Sequence, residues 1–159
     1  VLVGSPIHPK QLSPKPEVHV ARILESDGDV RALALQAKRI AVLGIKPDDR
    51  ADEPAHYVPE KLQHLGVTIV PVPTRYPDVH EILGAPVVRD LRAVGDVDLV
   101  CVFRRTEDLA AHEADLLALR PPAVWLQSGI RDDAFARRLV AAGIDVVQSR
   151  CLMVERMRA

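Results

Sequence analysis

The chain has 159 residues, 48% of them hydrophobic and 27% charged, with a formal net charge of −1. These values fit a single globular domain with a proper core, and they exclude a general attraction for nucleic acid or an anionic membrane. Aromatic residues at 3% argue against a base-stacking surface, and no apolar run approaches the roughly 18 residues of a transmembrane helix.

The first sixteen residues carry Pro6, Pro9, Pro14 and Pro16 and read as a proline-rich arm preceding a domain over 17–159. Val18, Ala21, Ile23 and Leu24 suggest a first short helix, interrupted at Ser26-Asp27-Gly28. Val30, Leu33, Ala34 and Ala37 recur at helical spacing, with Ser26, Asp27 or Asp29 placed to cap a second helix. From Arg39 the pattern becomes strand–helix alternation. Ile40 to Leu43 is an apolar strand stopped by Gly44. A polar loop follows, then a helix from Pro54 to Leu65 ended by Gly66. Val67 to Val72 is a second strand, and Pro73 to Leu91 is loop-rich with one short helix and one short strand expected. Val97 to Phe103 is the next strand, with a helix from Thr106 to Leu119. The series closes with a strand over Ala123–Leu126, a helix over Asp132–Ala142 ended by Gly143, a strand over Ile144–Val147 and a last helical turn or two from Cys151 to Met157.

Continuous apolar strands separated by amphipathic helices predict an α/β fold: a doubly wound parallel sheet with helices on both faces. Such sheets bind ligands beyond the carboxyl ends of the strands, where the strand order reverses. That rule selects the loops after Leu43, Val72, Phe103 and Leu126.

The first loop, Gly44-Ile45-Lys46-Pro47-Asp48-Asp49-Arg50, contains one glycine. It lacks both the three-glycine dinucleotide fingerprint and a phosphate loop ending in Gly-Lys-Ser/Thr. Gly44 and Lys46 could hold an anion at the start of the following helix, or serve as a turn glycine and a solvated lysine. Where NAD enzymes place an acid to hold ribose hydroxyls, the second strand ends Pro73-Thr74-Arg75. A guanidinium there suits a phosphate monoester, pointing to an adenosine ligand with an extra phosphate, coenzyme A (CoA) or NADP. Of the adjacent Arg104 and Arg105 at the third strand's edge, alternation lets one face the ligand. Gln127 offers donor and acceptor, and Gly129 allows close backbone approach. Trp125 reads as core. Asp48, Asp49, Asp52 and Glu53 read as a solvated loop rather than a metal cluster.

Taken together, Arg39 to Gly44, Pro54-Ala55-His56-Tyr57-Val58, Val102-Phe103-Arg104-Arg105, Trp125-Leu126-Gln127-Ser128-Gly129 and Cys151-Leu152-Met153-Val154-Glu155 resemble the small stand-alone CoA-binding proteins of bacteria and archaea. These are similar to the CoA-binding domain of the succinyl-CoA synthetase alpha subunit. The resemblance covers residues 26–158 and implies a Rossmann-like fold that binds CoA. It places Gly44, Ile45 and Lys46 against phosphate or ribose, His56 at the first helix's N-terminal turn, and Pro73, Thr74 and Arg75 by the adenosine phosphate. Phe103 and Arg104 would line the adenine or pantetheine side, with Gln127 and Gly129 opposite.

The synthetases keep their phosphorylated histidine and nucleotide-grasp domain outside this domain, so a complete acyl-CoA ligase is not expected in 159 residues. No Ser-His-Asp or Cys-His arrangement is evident; Cys101 reads as buried and inert, and Cys151 as structural. The expected function is to bind CoA or an acyl-CoA. An NADP-dependent reductase and the CoA-binding half of a split ligase are the alternatives. A homodimer or a separate catalytic subunit is the candidate partner. The two cysteines form no disulfide framework, and no basic-then-apolar leader is visible, so a cytoplasmic location is expected. Gly44→Val is expected to block the ligand and spare the fold.

Overall fold

The computed structural model describes Gly4 and residues 18–159. The proline-rich arm expected over 1–16 lies, Gly4 apart, outside the described residues. Five parallel strands form one sheet: β1 (Arg39–Leu43), β2 (Thr68–Val72), β5 (Leu99–Val102), β6 (Ala123–Leu126) and β7 (Asp145–Val147), in the spatial order β2-β1-β5-β6-β7. A small antiparallel pair, β3 (Glu81–Ile82) and β4 (Ala85–Pro86), lies between β2 and β5 in the chain. The helices are α1 (Asp27–Gln36), α2 (Pro54–His64), α3 (Glu113–Leu119), α4 (Asp133–Ala141) and α5 (Leu152–Arg158).

Strand side chains alternate between two cores, as the pleat requires. Ile40, Val42, Leu99, Cys101, Ala123 and Trp125 pack with Val30 and Ala34 of α1, Val58 and Leu62 of α2, and Leu152 of α5. Ala41, Leu43, Val100, Val102, Val124 and Leu126 pack on the other face with Leu116 of α3 and Phe135, Ala136 and Leu139 of α4. Both faces are therefore covered, which is why the strands read as unbroken apolar runs. Trp125 is buried as core, its indole N–H donating to the Arg150 carbonyl (2.7 Å).

Helix ends follow local chemistry. The Ser26 hydroxyl accepts the Asp29 amide (3.2 Å) to cap α1, and Asp132 accepts the Phe135 amide (3.0 Å) to cap α4. Gly66 and Gly143, at positive φ, follow α2 and α4.

Three expectations need correction. Residues 18–25 are not helical. Ile23 bridges Val146 of β7, Leu24 donates to the Val146 carbonyl (2.8 Å), and the Asp145 carboxylate accepts the Arg22 amide (2.9 Å). The open edge of β7 offers unpaired backbone groups, and satisfying them outweighs a weak helical periodicity. The stretch after Pro73 holds the β3–β4 pair and a 3₁₀ turn at Leu91–Ala93 instead of one helix and one strand. From Thr106 to His112 the chain is 3₁₀, and the α-helix begins only at Glu113.

Candidate ligand-binding site

The strand order reverses at β1: the chain steps from β1 to β2 on one side, then crosses to β5 on the other. Register places Leu43 beside both Val72 and Val102, so three strands end level and their loops share one rim. Two adjoining cavities open there. The larger, about 740 Å³, lies between the starts of α2 and α5 and the loops after β5 and β6; the smaller, about 240 Å³, lies between the loops after β1, β2 and β5. Lys46, Phe103, Arg104 and Arg105 belong to the walls of both, so the two form one cleft at the switch point.

Of the residues expected at a ligand, Gly44, Ile45, Lys46, Thr74, Arg75, Phe103 and Arg104 line the smaller cavity, and Gln127 and Gly129 join Lys46, Phe103 and Arg104 around the larger. His56 and Pro73 line neither. His56 is 2% exposed, with Nε2 2.8 Å from Asp48 Oδ1 and Nδ1 without a hydrogen-bond partner. Asp48 Oδ1 also accepts the Leu83 amide (3.1 Å), so the pair clasps the first loop to the turn between β3 and β4. The hydrogen bond from His56 is the main reason the Asp48 carboxyl lies below the usual carboxylate range. Asp48 is thus structural, not merely solvated.

The first loop is held at two further points. Pro59 sits inside α2 and has no N–H, so the Ala55 carbonyl lacks its ordinary helical donor. That carbonyl accepts the Lys46 amide instead (3.1 Å). The Lys46 ammonium pairs with Glu53 Oε1 at 2.6 Å. The lysine expected to meet an anion therefore already has a carboxylate partner, supplied by the acidic loop that was read as solvated.

The arginines divide the work. Arg105 is 69% exposed and pairs with Asp108 (3.0 Å) and Glu107 (3.6 Å). Arg104 is 21% exposed and turned inward. It donates to Thr74 Oγ1 (3.0 Å) and to His112 Nε2 (3.2 Å), tying the end of β2 to the end of β5 across the cleft floor. Arg75 is exposed and forms no ion pair among the described residues. Its backbone is fixed by Arg89, whose guanidinium donates to the carbonyls of Arg75 (2.8 Å), Tyr76 (2.6 Å) and Val79 (2.7 Å).

A family model described as a CoA binding domain matches residues 38–157. The chain belongs to the CoA-binding domain family. It is 32% identical over 130 residues to YneT of Bacillus subtilis, an alignment covering 81% of this chain and 93% of that one. Among solved structures, a Thermus thermophilus protein, cell-free ID.343, is 44% identical with a TM-score of 0.75, covering 84% of this chain and 98% of its own. A hypothetical protein from Pyrococcus horikoshii OT3, 24% identical with a TM-score of 0.73 over 89% of this chain and 98% of its own, shares the fold. Within this CoA-binding domain, no helix of the described residues is long and apolar enough to cross a membrane.

Sequence reasoning missed His112 and the apolar wall of the larger cavity: Tyr57, Ile130, Met153 and Val154. His112 had no motif around it; its role arises from a bond to Arg104 eight residues away. To accept from a guanidinium, His112 Nε2 must be unprotonated. Burial, then the Arg104 charge, hold the imidazole below its usual range and favour that neutral form. The unfolded chain therefore binds this proton at higher pH than the folded one. The contribution is full above about pH 6.5, the ordinary histidine value, and is lost as pH falls through the depressed folded pKa. Thermal stability should thus decrease from pH 7 to pH 5, and His112→Gln, which keeps an acceptor without titrating there, should flatten that decrease. An unchanged pH profile in the variant would remove His112 from this role.

Proposed function

We propose that this protein binds CoA in the switch-point cleft, and that binding rather than turnover is its role. The reading is carried by one observation: in a member of the CoA-binding domain family, a small cationic cavity and a large apolar one share walls at the sheet's switch point. CoA has the same two-part chemistry, a phosphorylated adenosine and a long, mostly uncharged pantetheine arm. The adenosine phosphate goes to Arg75, the cation of the smaller cavity without a carboxylate partner among the described residues. The arm passes Phe103 and Arg104 toward Gln127 and Gly129. Gln127 is itself fixed, its Oε1 accepting the Leu152 amide (2.9 Å), so the wall is preorganised.

Arg104 is proposed to position the cleft by spanning Thr74 and His112. Calorimetric titration with CoA, dephospho-CoA and NADP at one salt concentration tests the reading. The expected order is CoA first, with dephospho-CoA and NADP weaker. Tighter NADP would shift the function to a nicotinamide-binding one, and no binding of CoA would remove the proposal.

A further inference from the structure

Resting on the CoA reading, we infer that the ligand is an acyl-CoA with an aliphatic chain, and that the chain runs between α2 and α5. Two observations carry this. The first is the division of polarity within the larger cavity. Its charged groups, Lys46, Glu53, Arg104, Arg105 and Glu107, belong to the loops after β1 and β5, and its neutral ones, Gln127 and the Ser128–Gly129 backbone, stand on the β6 side, where the amides of a pantetheine arm find partners. The opposite wall is made by Tyr57 and Val58 of α2 and Met153 and Val154 of α5. None of these four side chains is charged, so a carboxylate on the acyl group finds no partner on this wall and its burial there is unfavourable. Methylenes suit the wall.

The second observation lies just outside. A further groove of about 370 Å³ runs between α2 and α5; Tyr57 and Met153 belong to its walls as well as to the cavity's, and Glu60, Lys61 and His64 of α2 complete its lining with Met157. It ends at Met157, which is 56% exposed, while Tyr57 is 40% exposed. The sheet's own packing gives no reason for both Tyr57 and Met157 to face solvent along one groove that adjoins the cleft. A chain too long for the cavity would pass over Tyr57 and Met153 and cover Met157. The unbranched thioether side chains at both points adapt to chains of different length. The groove continues the proposed CoA site, and this continuity selects an acyl tail as its occupant.

The test is a calorimetric series of CoA, butanoyl-, hexanoyl-, octanoyl-, decanoyl- and succinyl-CoA. Affinity should rise about two- to fourfold per methylene from butanoyl to octanoyl. Succinyl-CoA, which adds a carboxylate to a chain of similar length, should bind about tenfold more weakly than butanoyl-CoA. Met157→Glu, at an exposed position outside the CoA cleft, should lower decanoyl-CoA affinity about tenfold and leave CoA and butanoyl-CoA within twofold. If CoA binds but the series is flat, or succinyl-CoA matches butanoyl-CoA, the aliphatic chain is wrong and the CoA reading stands. If Met157→Glu leaves decanoyl-CoA unchanged or weakens all the ligands equally, the α2–α5 route is wrong. If neither CoA nor any thioester binds, both readings fall.

Discussion

Gly44→Val is expected to destabilise the fold by about 3 kcal/mol or more, lowering the melting temperature by roughly 10 °C. Gly44 lies at φ +86°, a conformation that is costly for any residue with a Cβ and most costly for a β-branched one. A Cβ built there would fall inside contact distance of the Phe103 carbonyl oxygen, 3.0 Å from the Phe103 carbonyl carbon and 3.1 Å from Arg104 Cδ. The neighbour is backbone at the end of β5, whose Phe103 amide in turn donates to the Leu43 carbonyl (2.8 Å). Neither side can move without opening the β1–β5 seam. This overturns the expectation that a valine would block the ligand and spare the fold: the glycine is required by strand approach before any ligand arrives. Gly143→Ala is the control, because Gly143 has a similar φ of +89° and open space around its Cβ position. It should lose about 1 kcal/mol from strain alone, and Gly44→Ala distinctly more. Chemical denaturation of the three variants reads the difference directly. Equal losses for the two alanine variants would mean that the β5 contact relaxes without cost.

The distinction between what was legible and what was not follows the range of the interactions. Strands such as Ile40–Leu43 and Ala123–Leu126 were readable because burial on both faces leaves no polar position in the run. Helix ends were readable where a single residue decides them, as at Ser26 and Gly143. The switch-point loops followed from topology alone. The edge segment at Ile23 was not readable, since its partner Val146 is far along the chain and its own pattern suits either period. The site's internal bonds were hidden for the same reason. Lys46 reads as an anion ligand or a solvated lysine and Glu53 as solvated, and nothing local shows that the two pair, that Pro59 frees a carbonyl for Lys46 or that Asp48 turns toward His56. Composition also understated the apolar wall, because Tyr57 and Met153 become neighbours only when α5 packs beside α2.

Arg75→Ala is expected to weaken CoA binding by about tenfold to a hundredfold while changing dephospho-CoA binding little. Among the four basic residues of the smaller cavity, Lys46 is held by Glu53, Arg104 is engaged by Thr74 and His112 with Asp108 nearby, and Arg105 is held by Asp108. Arg75 keeps its charge available, and the three carbonyl bonds from Arg89 fix the backbone that carries it. A monoester dianion can take two guanidinium N–H groups at once, a geometry that lysine cannot reproduce. Arg75→Lys should therefore recover only part of the loss. Because Arg75 is exposed, salt screens the interaction, and the expected factor belongs to low ionic strength. Removing the arginine from the protein and the phosphate from the ligand forms a thermodynamic cycle, in which only a direct contact gives a coupling. Equal losses for CoA and dephospho-CoA would place the phosphate elsewhere on the rim. Arg89→Ala separates charge from position. It leaves the Arg75 guanidinium in place but frees the loop, and the preference for CoA over dephospho-CoA should shrink without vanishing. A preference unchanged in Arg89→Ala would mean that the loop needs no clamp, and that Arg75 finds the phosphate from a flexible tether.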